Sequence, residues 1–195
     1  MSVIVVLVVL AYVLGSLPSG YVLGKLAGVD VRNLGSGNIG ATNVARAIGK
    51  WQGALTLVAD ATKGFLPVLL AKALELDPLS IAGTAIAAFL GHLFPVFLKF
   101  QGGKGVATAS GALMAIAPLA TLVLLALFAL VVFCSRIVSL GALTAAVAAP
   151  LVLWFFYQPA PIIGMGCFLA AMIVLRHHGN IQRLRAGTEP RFGKP

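Results

Sequence analysis

The sequence predicts an all-α polytopic membrane protein. Of its 195 residues, 60% are hydrophobic, and the mean hydropathy is +1.04. Only 10% of the residues are charged, whereas a soluble domain carries about 25%. The 22 glycines suit close packing of helices within a bilayer. We therefore expect residues 1–195 to form a single integral-membrane domain.

Seven apolar segments can be drawn, and each is expected to be a helix. They cover residues 3–23, 53–72, 79–98, 105–117, 119–134, 138–156 and 160–176. The fourth and fifth are short for a membrane crossing, which takes about 20 residues. Pro118 lies between them. They therefore form either two short central helices that turn at Ala117-Pro118 or one long interrupted helix.

The distribution of basic residues favours seven transmembrane helices. With seven spans and the N-terminus outside, 12 of the 14 basic residues fall on the cytoplasmic side. With six spans, each side receives six of them. The prediction is therefore an outside N-terminus, a cytoplasmic C-terminus and sizeable polar loops that all face the cytoplasm. Five full spans are the alternative, if both short segments dip into the membrane and return.

Composition also limits the partners of this protein. The net charge of +9 suits an anionic substrate or an anionic lipid leaflet. Nucleic acid is not an expected partner, because the basic residues are scattered over short loops. The three histidines and five acids show no metal-ligand spacing, so neither a metal nor a cofactor is expected.

The longest polar interval, residues 30–46, combines a glycine-rich turn with the start of a short amphipathic helix that Gly49 is placed to end. Backbone N–H groups and polar side chains in such a turn can hold phosphate, and Arg46 adds a planar charged fork. The residues that can serve in this way are Ser36, Gly37, Asn38, Gly40, Thr42, Asn43 and Arg46. The alternative is a capped connector whose arginines only reflect the charge asymmetry of membrane proteins.

A second glycine-rich loop, Gly102-Gly103-Lys104-Gly105, again places a lysine before a predicted helix. It is not a nucleotide-binding P-loop, because Gly105 stands where Ser or Thr is required. It therefore predicts a second phosphate site without implying ATP. The alternative is a flexible turn with a lysine that reaches the membrane surface.

A third polar region follows the last apolar segment. His177 and Asn180 are three residues apart and share a helical face near the membrane surface. Ser139 stands at the mouth of the sixth segment, where it could line a site or cap a helix. Glu189 is the tail's only acid, and a structural pair with a tail arginine is expected. The alternative for His177 and Asn180 is an interfacial histidine and a helix cap.

Two further polar features lie inside apolar segments. Asp60 and Lys63 are three residues apart in the second segment, and each is expected to satisfy the other's charge. His92 in the third segment is expected to be a hydrogen-bonded structural histidine.

Taken together, the motifs resemble one family, the integral-membrane acyl-phosphate:glycerol-3-phosphate acyltransferases of bacteria (the PlsY family). The matching text is GSGNIGATNVAR over residues 35–46, GHLFPVF over 91–97, GGKGVAT over 102–108, and His177-x-x-Asn180-Ile181-x-Arg183-Leu184. The match runs in order over essentially the whole chain, and no motif residue departs from it.

The resemblance implies a reaction at the cytoplasmic face of the bacterial inner membrane. An acyl phosphate gives its fatty acyl group to the 1-hydroxyl of sn-glycerol 3-phosphate, producing lysophosphatidic acid and inorganic phosphate, the first step of phospholipid synthesis. Because phosphate is a good leaving group, neither a metal nor a covalent acyl-enzyme is expected.

The resemblance also implies roles for individual residues. The first loop would cradle the acyl phosphate through Ser36, Asn38, Thr42 and Asn43. Neighbouring backbone N–H groups would assist. The glycines expected to bind substrate are Gly37, Gly40, Gly102, Gly103 and Gly105. Glycerol 3-phosphate would be held by Arg46, Lys104, Ser139, His177 and Asn180. Ser36, Arg46, Lys104, His177 and Asn180 are the expected catalytic residues.

The rival class is a small-anion transporter or channel, which would use similar basic loops. Its polar groups would be expected at the membrane midplane, whereas here they gather at one face. A non-enzymatic membrane anchor is a third possibility, but it would not need so many phosphate-binding groups.

Overall fold

The computed structural model describes residues 3–192, so Lys194, one of the basic residues counted above, lies outside them. Every regular element in this range is helical. The α-helices are α1 (Val3–Gly15), α2 (Ser19–Leu26), α3 (Ala41–Ala47), α4 (Lys50–Ala73), α5 (Pro78–Leu93), α6 (Val106–Ile116), α7 (Pro118–Ser135), α8 (Val138–Phe155), α9 (Ala160–Arg176) and α10 (His178–Arg185). Two short 3-10 turns, Val31–Asn33 and Val96–Leu98, lie in the polar loops.

All seven predicted apolar segments are helical, and five helical stretches in the described range are long and apolar enough to cross a membrane. A sixth is obtained if α9 and α10, which meet at a bend of 61°, count as one span. Helix α6 is apolar but shorter than a full crossing. The all-helical membrane fold is confirmed, while the count of seven spans stays a prediction.

The chain breaks between α6 and α7, where Ala117 leaves helical geometry and Pro118 begins the next helix. A proline is accepted in the first turn of a helix, because its missing N–H has no intrahelical partner there. Two separate helices therefore meet at Ala117-Pro118, and the predicted turn between them stays a prediction.

The contacts within the chain divide it into two compact units, with the division between Ile116 and Ala117. In the N-terminal unit, α4 packs against α6, and α1 packs against α5. Close backbone approach requires glycine at these contacts. A Cβ on Gly64 would lie 2.0 Å from the carbonyl oxygen of Thr108, and one on Gly15 would lie 2.1 Å from that of Ala88. The predicted use of glycine for tight helix packing is confirmed here.

The break between α1 and α2 is held by the charged pair of α4. Lys63 Nζ lies 2.6 Å from Asp60 Oδ1, so the predicted mutual pairing is confirmed. The same ammonium group donates a hydrogen bond to the carbonyl of Leu17, which lies in the break. The lysine therefore links its own carboxylate to the carbonyl of Leu17, which also accepts a hydrogen bond from the Ser19 N–H at 3.1 Å.

In the C-terminal unit, α8 packs between α7 and α9, and α10 contacts the end of α9. Large apolar side chains on these helices, such as Phe133, Leu151 and Trp154, are exposed. This exposure is expected for surfaces that face lipid, because lipid tails are as apolar as the side chains themselves.

Candidate active site

The first polar loop is organised by the side chain of Asn43, which is 2% exposed. Its carbonyl oxygen accepts a hydrogen bond from the Ser36 N–H at 2.9 Å. Its amide group donates to the carbonyls of Val31, Leu34 and Asn38 at 2.8–3.0 Å. Sequence reasoning expected Asn43 to donate to phosphate. The structure instead engages both ends of its amide within the loop, which makes it the support of the turn that precedes α3.

The turn itself is fixed by glycine conformation and by local hydrogen bonds. Gly35 and Gly37 have φ angles of +56° and +70°, which favour glycine. Asn38 accepts a hydrogen bond from the Gly40 N–H at 2.7 Å, directly before α3 begins. Ser36 is exposed at the tip of this turn. The loop therefore exposes the Ser36 hydroxyl on an ordered turn. The N–H groups of Gly37 and Gly40 donate within the loop, to Leu34 and Asn38, so the phosphate contacts expected from these two glycines stay predictions.

Helix α3 is short and amphipathic, as predicted, and Gly49 follows its C-terminal cap residue. Its inner side is fixed by Val44, which is fully buried in a cluster with Val31, Ile39 and Leu98. Leu98 belongs to the 3-10 turn that precedes the second glycine-rich loop, so this cluster places the connection between α5 and α6 beside the first loop. Thr42 and Arg46 lie on the exposed side of the helix.

The two arginines of the first loop differ in their surroundings. Arg32 is engaged: its guanidinium lies 2.7 Å from the Asp30 carboxylate and stacks 4.6 Å above the Tyr21 ring. Hydrogen bonds from Arg32 hold the pKa of Asp30 well below its usual range. Arg46 forms no ion pair with any described residue, so its charge is available to an anion.

The glycines of the second loop pack it against the end of α5. The N–H groups of Gly102 and Gly103 donate to the carbonyls of Leu93 and His92, both at 3.1 Å. A Cβ on Gly103 would lie 2.1 Å from His92 Nε2. These two glycines therefore pack the loop onto the end of α5, and in this conformation their N–H groups point into the protein.

Gly105 has a φ of +81°, and a Cβ there would lie 2.2 Å from the Phe89 ring. It too is required by packing and backbone conformation, directly before α6 begins. Lys104, between these glycines, is half-buried. The direct substrate contacts expected for Gly102, Gly103 and Gly105 stay predictions.

In the C-terminal unit, the predicted residues Ser139 and Asn180 meet at one carboxylate. The Ser139 hydroxyl donates to Glu189 Oε1 at 2.7 Å, and the Asn180 amide donates to the same oxygen. Arg183 Nε lies 2.7 Å from the other oxygen, Oε2, which confirms the predicted structural ion pair. The additional bonds to Ser139 and Asn180 escaped sequence reasoning. The only signal was that Glu189 is the sole acid in an otherwise basic tail.

His177 is 3% exposed, and its Nδ1 lies 2.8 Å from the Ile173 carbonyl oxygen. Because a carbonyl only accepts hydrogen bonds, Nδ1 must carry a proton. In the neutral imidazole, Nε2 is then the basic nitrogen. This fixes the tautomer in which His177 would meet a substrate hydroxyl.

Acid is expected to loosen the tail through Glu189. Burial alone would raise the pKa of this carboxyl, but hydrogen bonds from Ser139, Asn180 and Arg183 outweigh it and lower the pKa. A depressed folded-state pKa stabilises the protein above the ordinary glutamate pKa of about 4.3. That stabilisation is lost as the pH falls through the lower, folded-state value.

We therefore expect Glu189→Gln to lower the free energy of unfolding by about 2 kcal/mol at neutral pH. The difference from wild type should shrink below about pH 4. Thermal unfolding in detergent at several pH values measures both effects. A difference that stays constant down to pH 3 would contradict the assignment.

A shallow apolar groove of about 470 Å³ opens beside the break between α1 and α2. Its wall is formed by residues of α2, α4 and the break itself: Leu17, Pro18, Ser19, Val22, Leu23, Leu55 and Ala59. Its lining is almost entirely apolar, which suits a hydrocarbon chain.

The residues described between 3 and 192 contain no group of three or more His, Cys, Asp or Glu side chains placed to hold a metal ion. The expectation of a reaction without a metal stays a prediction.

A sequence model of the glycerol-3-phosphate acyltransferases matches residues 5–187. The chain belongs to the glycerol-3-phosphate acyltransferase family. The glycerol-3-phosphate acyltransferase of Geotalea daltonii is 48% identical over 188 residues, which cover 96% of this chain and 97% of the relative. That of Trichlorobacter lovleyi is 52% identical over 183 residues, which cover 93% and 94%. The family resemblance inferred from the motifs is confirmed.

Solved structures of this family agree. A crystal structure of PlsY, an integral membrane glycerol 3-phosphate acyltransferase, in its glycerol 3-phosphate form matches with a TM-score of 0.96 and 44% identity. The match covers 98% of this chain and 96% of the PlsY chain. The lysophosphatidic acid form matches with a TM-score of 0.93 and 43% identity over the same shares.

Proposed function

We propose that this protein transfers a fatty acyl group from acyl phosphate to the 1-hydroxyl of sn-glycerol 3-phosphate, giving lysophosphatidic acid and inorganic phosphate. The observation that carries this proposal is the chain-long likeness to an acyltransferase whose solved forms hold glycerol 3-phosphate and lysophosphatidic acid. Those two molecules would be the acceptor and the product of this reaction.

The chemistry needs little from the protein beyond positioning. An acyl phosphate is a mixed anhydride. The acceptor oxygen forms a bond to the acyl carbon, the bond from that carbon to the phosphate oxygen breaks, and the hydroxyl proton leaves with the phosphate. Holding the two reactants together and hydrogen-bonding the developing oxyanion supply the rate enhancement. A covalent acyl-enzyme and a metal are not required.

The first loop suits the donor. Ser36 is exposed beside the left-handed Gly37, and Asn43 holds the turn in place. We assign the donor phosphate to the side chains of Ser36, Asn38 and Thr42. The acyl chain would lie in the apolar groove beside the break between α1 and α2.

Arg46 and Lys104 supply the fixed positive charge. Arg46 lies on the exposed side of α3, and Lys104 belongs to the connection between α5 and α6, which shares an apolar cluster with α3 through Leu98. We assign both to the phosphate of glycerol 3-phosphate. Ser139, His177 and Asn180 are proposed to serve the glycerol hydroxyls.

We propose that His177 orients the acceptor hydroxyl without serving as the general base, because the leaving phosphate can take the proton. His177→Gln should then lower kcat/KM about tenfold, mainly through KM, and leave the shape of the pH profile unchanged. The matched control is His178→Gln, since His178 is the exposed neighbour. Loss of a limb that titrates near neutral pH, with KM intact, would make His177 the base.

The membrane topology is part of the proposal. Residues 1–195 are proposed to form one domain with seven spans, an outside N-terminus and an active site at the cytoplasmic face of the bacterial inner membrane. The charge asymmetry of the loops supports this arrangement. Labelling of single cysteines in the loops with a membrane-impermeant reagent tests it.

Purified protein in detergent, given acyl phosphate and glycerol 3-phosphate, tests the activity. We expect release of inorganic phosphate that depends on the acceptor. A transporter would release none and would instead move a small anion into liposomes that contain the protein.

A further inference from the structure

Three ionisable side chains are buried together in the N-terminal unit. Asp60 and Lys63 of α4 and His92 of α5 are 2%, 4% and 5% exposed. Asp60 Oδ1 lies 2.6 Å from Lys63 Nζ and 3.8 Å from His92 Nδ1. Ionisable groups within membrane-spanning helices are costly and usually serve a function. The role assigned so far to this buried cluster, the closing of a helix break, involves only its lysine.

The histidine is not needed to neutralise the cluster. The carboxylate of Asp60 and the ammonium of Lys63 balance each other, and Lys63 also donates to the Leu17 carbonyl. An apolar residue in place of His92 would leave this pair intact. The position of the imidazole therefore calls for a separate explanation.

The side of the His92 ring that faces away from Asp60 contacts the second loop. The Gly103 N–H donates to the His92 carbonyl, and a Cβ on Gly103 would lie 2.1 Å from His92 Nε2. A Cβ on Gly102 would meet the His92 carbonyl oxygen at the same distance. The imidazole thus lies between the Asp60 carboxylate and the backbone of Gly103, the residue before Lys104.

We propose that His92 is a positioning residue for the reaction: through its contact with Gly103, its ring sets the position of the Gly102–Gly105 loop against α5 and with it the place of Lys104. A shift of about 1 Å in a substrate-binding group can cost up to a hundredfold in rate. The inference rests on the proposed function, because it takes Lys104 to bind the acceptor phosphate.

Two readouts test the proposal, and the first needs no activity. A spin label on Gln101→Cys, an exposed loop position, in protein carrying Cys134→Ala and Cys167→Ala reports loop motion by electron paramagnetic resonance. The second readout is the split between KM for glycerol 3-phosphate and kcat in the unlabelled protein.

We expect His92→Leu to increase the mobility of the label and to raise KM about 10- to 100-fold. His92→Gln should stay within about threefold of wild type, since its amide reaches toward the place of Nε2, against which Gly103 packs. The matched control is Thr84→Val, which removes the hydroxyl of another buried α5 residue whose hydrogen bond goes to its own helix. Thr84→Val should match wild type in both readouts.

A wild-type spectrum and KM for His92→Leu would overturn the proposal. If His92→Leu does not fold, His92→Asn replaces it. Its amide stops near the place of Nδ1 and does not reach Gly103, so a Gln variant no better than the Asn variant would also overturn the proposal. If wild type itself does not turn over glycerol 3-phosphate, the proposed function fails, and the spin-label comparison still decides the role of His92.

Discussion

Arg46→Ala and Lys104→Ala are each expected to lower kcat/KM for glycerol 3-phosphate by about 30- to 1,000-fold, equivalent to ~2–4 kcal/mol of transition-state binding. Each change leaves a phosphate charge unpaired in a partly desolvated site. Arg46→Lys should give an intermediate loss, because lysine keeps the charge but not the bidentate fork.

The first loop provides its own control. Arg32 lies in the same polar interval as Arg46, but it is paired with Asp30 and stacked on Tyr21. Arg32→Ala should change kcat/KM by no more than about threefold, since exposed ion pairs contribute little. Lys99→Gln, at an exposed position of the second loop, is the corresponding control for Lys104. A loss below tenfold for Arg46→Ala or Lys104→Ala would remove that residue from the site.

The second large effect is expected at Asn43. Asn43→Ala leaves the Ser36 N–H and several loop carbonyls without their partner, and each such loss costs about 1–3 kcal/mol where water cannot replace it. We expect the loop to lose its order and kcat/KM to fall about 100-fold or more. Asn33→Ala, an exposed asparagine in the same interval, should be close to wild type.

Hydrogen exchange separates this supporting role from direct substrate binding. If Asn43 supports the turn, Asn43→Ala should speed amide exchange in residues 30–46 in the absence of any ligand. A variant that loses activity while its loop exchanges at the wild-type rate would show that Asn43 acts on the substrate itself, as the sequence first suggested.

Much of the fold could be predicted from patterns within short stretches of the sequence. Apolar runs predicted all seven helical segments, and the single Pro118 predicted the break between α6 and α7. The spacing of Asp60 and Lys63 predicted an ion pair, because residues three apart on a helix face the same side. These are properties of neighbours in the chain, so the sequence displays them directly.

The contacts that the sequence did not reveal join residues that are distant in the chain. The amides of Gly102 and Gly103 point to carbonyls at the end of α5, which no pattern within the loop reveals. Glu189 reaches Ser139, fifty residues away, and its charge alone pointed only to an arginine. His92 was expected to be structural, and its contact with Gly103 became visible only with the loop in place.

The central claim is direct acyl transfer from acyl phosphate to glycerol 3-phosphate, and a rapid-mixing measurement with enzyme in excess of acyl phosphate tests it. With acceptor present, we predict inorganic phosphate and lysophosphatidic acid in equal amounts and at the same rate, with a chelator in the buffer. Without acceptor, we predict no rapid phosphate release. A burst of phosphate equal to the acyl phosphate added, in the absence of glycerol 3-phosphate, would contradict the account and indicate a covalent acyl-enzyme.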